Sequence, residues 1–142
     1  MTLATSGWAF QTALRTLAQE ARGEPLEGQQ AVAAVLVNRV KDGRWGGSLA
    51  SVCLWPWQFS GWARTKDPNF TWGTEELDNS PVLAMLNPVL VEAVTGRDPT
   101  GGALYYYNPT GASPHWAKQF KLLGHHGRQL FFTDRVDGRV LG

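Results

Sequence analysis

Apolar residues fall into a helical rhythm from the start of the chain. Phe10, Ala13, Leu14, Leu17, Ala18 and Ala21 recur at i, i+3, i+4, i+7, i+8 and i+11, one stripe of a helix predicted from Gly7 to Arg22 and stopped by Gly23. Advancing about 100° per residue puts Arg15, Gln19 and Arg22 on the solvent face and Glu20 at the edge of the stripe. The next run, Ala31-Val32-Ala33-Ala34-Val35-Leu36-Val37 leading to Asn38-Arg39-Val40, has no polar face. Its β-branched residues would also suit a strand, but its length and the Glu24-Pro25 start favour a helix buried from several sides. With Pro25 at the first helical position, Glu24 precedes the first turn and Glu27 faces its unpaired amides, so both read as capping charges.

From Lys41 to Asn79 the pattern is irregular and punctuated by Gly and Pro, a length of loop that in a compact domain is usually functional. Ser80-Pro81 then starts a helix in which Val82, Leu83, Leu86, Val89, Leu90 and Ala93 keep helical spacing as far as Gly96, with a kink or break expected at Pro88. Leu104–Tyr107 and Arg128–Thr133 read as strands that pair, and Ser113-Pro114 as the start of a short helix between them. The sum is a mainly helical α+β domain with a small antiparallel element.

Composition narrows the class. The chain has 142 residues, 43% hydrophobic and 18% charged, which suits one globular domain over residues 1–142. No apolar run approaches the roughly 20 residues of a membrane-spanning helix, and integral membrane association is not expected. The first residues lack a basic stretch followed by an apolar one, so synthesis in the cytoplasm without a signal peptide is the expectation. The single cysteine, Cys53, rules out an internal disulfide and any thiolate-rich zinc site. A net charge of +1 argues against nucleic acid as partner. Residues 118–142 are basic, with Lys118, Lys121, Arg128, Arg135 and Arg139 against Asp134 and Asp137, which reads as a solvated face.

The chemistry concentrates at Glu20. A half-buried carboxyl group is pushed toward its protonated form, and a proton held near neutrality serves a leaving oxygen. The competing reading is an idle helix-end Glu paired with Arg22 or Arg39. Aromatic residues supply the binding surface: Trp45, Trp55, Trp57, Trp62 and Trp72 lie in the irregular middle, and Trp57-Gln58-Phe59-Ser60-Gly61-Trp62 adds an amide and a hydroxyl among the rings. Such side chains stack on sugar rings while hydrogen-bonding their hydroxyls, although some of the tryptophans should cap a core. In Tyr105-Tyr106-Tyr107, strand alternation sends Tyr105 and Tyr107 to one face and Tyr106 to the other. Asn108 follows at the strand end, a common place for a binding amide. Two further readings are a thiol peptidase using Cys53 with His115, His125 or His126, and zinc at His125-His126. The first is weak because Cys53 sits between Val52 and Leu54, and the second because adjacent histidines rarely face one metal.

Several ordered blocks resemble one family. Glu20-Ala21-Arg22-Gly23-Glu24-Pro25, the Glu27–Val35 and Asn38-Arg39-Val40 segments, Gln58-Phe59-Ser60, Asp98–Pro109 and Ser113-Pro114-His115-Trp116 are similar to the spore-cortex-lytic (SleB/CwlJ-type) cell wall hydrolases. The resemblance runs from about Leu14 to Phe132. It implies a lysozyme-like, transglycosylase-type domain acting on peptidoglycan glycan strands, with Glu20 as catalytic acid/base and Gln58, Phe59, Ser60, Tyr107 and Asn108 lining the groove. Trp62 and Tyr105 join that list from the aromatic pattern. The resemblance implies neither a cofactor nor a metal, and a monomer is expected. A bare catalytic domain suits a phage-type endolysin that reaches the wall after release.

Two-carboxylate glycosidases place their acids about 5 Å or about 6.5–9.5 Å apart. The sequence offers one obvious candidate, so the expected route is lytic transglycosylation, in which the C6 hydroxyl of the muramic residue displaces the leaving sugar. The alternatives are a hydrolytic muramidase using Glu20 with Glu24, Asp67 or Glu75, and a glycan-binding module without catalysis.

Overall fold

A computed structural model describes residues 5–55, 80–111 and 113–142. Helix α1 covers Gly7–Ala21, and the Ser6 side chain accepts from the Ala9 amide at 3.1 Å to cap it. Helix α2 covers Leu26–Asp42 and ends on Gly43 in the left-handed region. The β-branched run is therefore helical. Ala31 through Leu36 are almost wholly buried, because α2 packs against α1, against α3 (Leu49–Cys53) and against α4 (Pro81–Val94).

Three local expectations change. Pro25, with ψ at 164°, is the cap residue of α2 and Leu26 its first helical residue, so Glu24 lies outside the helix. Helix α3 falls in the stretch read as irregular, and Ser48 and Ser51 close a reciprocal capping box around it. Helix α4 runs unbroken through Pro88. Ala84, whose carbonyl loses its helix partner to that proline, is an exposed residue.

Strands β1 (Tyr105–Tyr107), β2 (Lys121–His126) and β3 (Gln129–Thr133) form an antiparallel sheet in the order β1-β3-β2. The predicted pair is β1 with β3, in the register Tyr105 to Phe132, Tyr106 to Phe131 and Tyr107 to Leu130. Strand β2 was not expected; it joins β3 through Gly127 and carries a bulge between Leu122 and Gly124. The predicted helix start near Ser113 is a short 3₁₀ turn, His115–Lys118. A last hairpin, β4 (Arg135–Val136) and β5 (Arg139–Val140), turns at Asp137-Gly138, where both φ angles are positive.

The sheet is anchored to α2 by the loop before β1. Asp98 Oδ1 accepts from the Thr100 amide and hydroxyl, and its Oδ2 accepts from Gly102 N and from Asn38 Nδ2. Gly101 and Gly102 both have positive φ, which that tight loop requires. Asn38 also donates to the Ala103 carbonyl, and the buried Arg39 donates to the Leu104 carbonyl at 2.8 Å. Helix α2 thus fixes where the tyrosine strand begins.

Candidate active site

Glu20 lies on the last turn of α1, half-buried. The Tyr106 hydroxyl donates to its Oε1 at 2.6 Å. Burial pushes the Tyr106 phenol well above its ordinary value of 10, and the neighbouring Glu20 charge adds to this. The phenol therefore keeps its proton and acts as the donor. Beneath the pair lies Arg39, its guanidinium 4.5 Å from the Trp45 ring centre and within the electrostatic reach of Tyr106 and Glu20. Desolvation lowers the Arg39 pKa below its ordinary value, against the opposing pull of those groups.

An open cleft of about 520 Å³ lies at this carboxyl group. Its walls are the end of α1, the α1–α2 turn, the residues after β1 and the β2–β3 turn, contributing Glu20, Glu24, Asn108 and Arg128 among others. Asn108 Oδ1 accepts from the Thr110 amide and hydroxyl. That leaves its Nδ2 as the donor available to a ligand.

Glu24 does not cap α2. Its Oε1 accepts from the Arg128 amide at 2.8 Å and its Oε2 from Arg128 Nε at 3.1 Å, while Arg128 Nη2 also reaches the Gly23 carbonyl. The Glu24 side chain is only 7% exposed, packed against Gly28 and Gly127, where an added Cβ would collide with it. Both of its oxygens are engaged, so it is not poised as a second catalytic carboxylate. Asp67 and Glu75 lie outside the described residues, as do Gln58, Phe59, Ser60 and Trp62.

The tyrosine run is split as alternation predicts, but the single tyrosine is the one at the acid. Tyr106 faces the helices with Phe131, ring centres 5.6 Å apart. Tyr105 and Tyr107 are turned away from Glu20 to the outer face. There Tyr105 packs on Trp45, Trp116 and Phe120 and its hydroxyl donates to Asp134, and Tyr107 packs on Trp116 and Phe132. Tyr106 is the site residue that sequence reasoning passed over. Nothing in the sequence marked it, because Phe131 and Phe132, opposite Tyr106 and Tyr105 across the sheet, are both buried.

The remaining candidates fall elsewhere. Trp45 is buried beneath Arg39 and Arg44 and serves the core, whereas Trp55 is exposed. Cys53 is fully buried, and desolvation pushes its thiol up to about 12 despite a hydrogen bond with Thr16. A thiol that resists ionisation is no nucleophile. His125 and His126 occupy successive positions of β2 and so face opposite sides, with His126 edge-on to Phe131.

Comparison with known proteins fits this arrangement. The family described as Cell Wall Hydrolase matches residues 23–132, a stretch that begins just after Glu20. The spore cortex-lytic enzyme of Bacillus subtilis (strain 168) is 38% identical over 120 residues, 80% of this chain and 36% of that protein. That of Bacillus cereus is 37% identical over 110 residues, 75% of this chain and 38% of that protein. The chain thus spans little more than a third of the length of these curated relatives. Among solved structures, the catalytic domain of the germination-specific lytic transglycosylase SleB from Bacillus anthracis matches 94% of this chain and 100% of its own, with TM-score 0.75 and 28% identity. The catalytic domain of Bacillus cereus SleB matches 92% and 93%, with TM-score 0.75 and 29% identity. By its sequence and its lysozyme-like fold, the chain belongs to the cell wall hydrolase family.

Proposed function

We propose that this domain cleaves peptidoglycan glycan strands between amino sugars as a lytic transglycosylase, with Glu20 as acid and then base. One observation carries the reading: a half-buried Glu20, held by Tyr106, opens on a cleft whose other described carboxylate, Glu24, is bound on both oxygens. The names of the relatives, a cortex-lytic enzyme and a lytic transglycosylase, support it.

In this mechanism Glu20 gives its proton to the glycosidic oxygen as the bond to the anomeric carbon breaks. The C6 hydroxyl of the same muramic residue then attacks that carbon and its proton passes to Glu20, which closes a 1,6-anhydro ring and restores the acid. No water is consumed. Asn108 Nδ2 contributes a donor to the glycan. Gln58, Phe59, Ser60 and Trp62 complete the groove in this proposal, whereas Tyr105 and Tyr107, packed on the outer face, do not.

Glu20→Gln keeps the shape of the side chain and removes the transferable proton, so clearing of purified cell walls should slow by about 10²–10⁴-fold while wall binding persists. Mass spectrometry of wild-type digests should show 1,6-anhydromuramic ends. Reducing, hydrated ends alone would mean hydrolysis, and undiminished lysis by the variant would remove Glu20 from the reaction.

A further inference from the structure

Gln19 is chemically out of place. It is the immediate chain neighbour of Glu20 and lines the same cleft, yet it is only 6% exposed. Among the described residues, neither its Nε2 nor its Oε1 has a hydrogen-bond partner, and both atoms are buried. Native proteins pair the large majority of such groups, because each one left unmet costs about 1–3 kcal/mol. A leucine would fill the same space on α1 without that cost. A local rule broken beside the catalytic group points to function.

The unmet pair has a definite chemical complement. A primary carboxamide is both donor and acceptor, so it can donate from Nε2 to the C=O of a secondary amide or accept at Oε1 from its N–H; because such an amide is trans, with its two polar groups on opposite sides, one of these bonds is made at a time. In an amino sugar the secondary amide is the 2-acetamido group, one carbon from the anomeric centre whose bond is cleaved. A residue that reads it must therefore sit beside the acid, and Gln19 does. Turning the carboxamide toward a ligand breaks no hydrogen bond within the protein.

We propose that Gln19 is a specificity residue that pairs with the acetamido group of the amino sugar next to the scissile bond, so that the enzyme favours N-acetylated glycan over de-N-acetylated glycan. This rests on the glycan-cleaving function proposed above. A site built to hydrogen-bond a substrate group is left with buried unpaired atoms when the substrate lacks that group, and discriminates accordingly.

The test crosses enzyme with substrate. Wild type, Gln19→Leu and Gln19→Met are assayed on purified peptidoglycan, on the same material after de-N-acetylation, and after re-acetylation with acetic anhydride. Wild type should lose on the order of 10–100-fold in kcat/KM on the deacetylated glycan and recover on re-acetylation. The apolar variants should show the same loss on acetylated glycan, little difference between substrates, and a melting temperature no lower than wild type. Lower melting temperatures with discrimination intact would mean a structural amide satisfied by water, and would overturn the proposal. Equal wild-type rates on both glycans would overturn it while leaving the function standing. Wild type inactive on every glycan would sink the function and this proposal together.

Discussion

Removing one oxygen atom tests whether Glu20 must be held. In Tyr106→Phe the ring keeps its packing on Phe131, at 5.6 Å and a 31° tilt, and only the 2.6 Å bond to Glu20 Oε1 is lost. A hydrogen bond to a charged group contributes about 1.5–3 kcal/mol. If all of it serves to orient the carboxyl group in the transition state, at about 1.4 kcal/mol per factor of ten the rate falls roughly 10–150-fold. Because the phenol touches the acid and not the glycan, the loss should fall on kcat and leave KM within about twofold of wild type. The assay is initial-rate clearing of purified walls over a range of wall concentrations, with circular dichroism confirming a folded variant at the assay temperature. A folded Tyr106→Phe with unchanged kcat, or with a change confined to KM, would show that the phenol does not position the acid.

Two predictions concern stability. Burial alone would raise the Asp42 and Asp134 carboxyls, but hydrogen bonds from Arg44, with Arg135 on Asp42 and Tyr105 on Asp134, outweigh it and hold both below the ordinary value of 3.8; Asp98 is held down likewise by Thr100, Asn38 and Gly102. Groups depressed in the folded state stabilise it fully above their unfolded pKa and lose that contribution as pH falls through the folded value, so the melting temperature should drop steeply below about pH 4, and less steeply in Arg44→Ala; a flat profile from pH 5 to pH 2.5 would refute the network's contribution. Gly127 has φ of 61°, and a Cβ there would lie 2.5 Å from Glu24 Oε1 and 3.1 Å from Gly28 Cα, so Gly127→Ala should destabilise by about 1–3 kcal/mol in urea unfolding, and a neutral result would mean that the hairpin is not pinned by Glu24.

What could be read from the sequence was whatever one element decides for itself. The apolar stripe and Gly23 bounded α1, and the Ser80-Pro81 cap set the start of α4. The errors have separate causes. One stripe on α1 left Gln19 facing water, yet it is only 6% exposed, on a helix against which three others pack. Five residues are too few for α3 to show a period, and the capping serines were its only mark. Strand β2 has exposed apolar Leu122 and a bulge at Gly124 that blur its alternation.

The same division runs through the site. Position on a helical wheel was enough to single out Glu20, because half-burial of a carboxyl group is a property of its own helix. Which group holds it was not legible, since the tyrosine run offers two faces and only the pairing with β3, with the helices on one side, decides between them. Glu24 shows the converse: a local rule gave it a role at the helix start, and an arginine 104 positions later took it away. Among the described carboxylates, the long-range contacts of Tyr106 with Glu20 and of Arg128 with Glu24 support the proposed one-carboxylate mechanism. That proposal rests on how the sheet docks on the α1–α2 turn. Gly127→Ala, whose added Cβ would press on Glu24 Oε1, is accordingly the substitution that would loosen Glu24 from the β2–β3 turn.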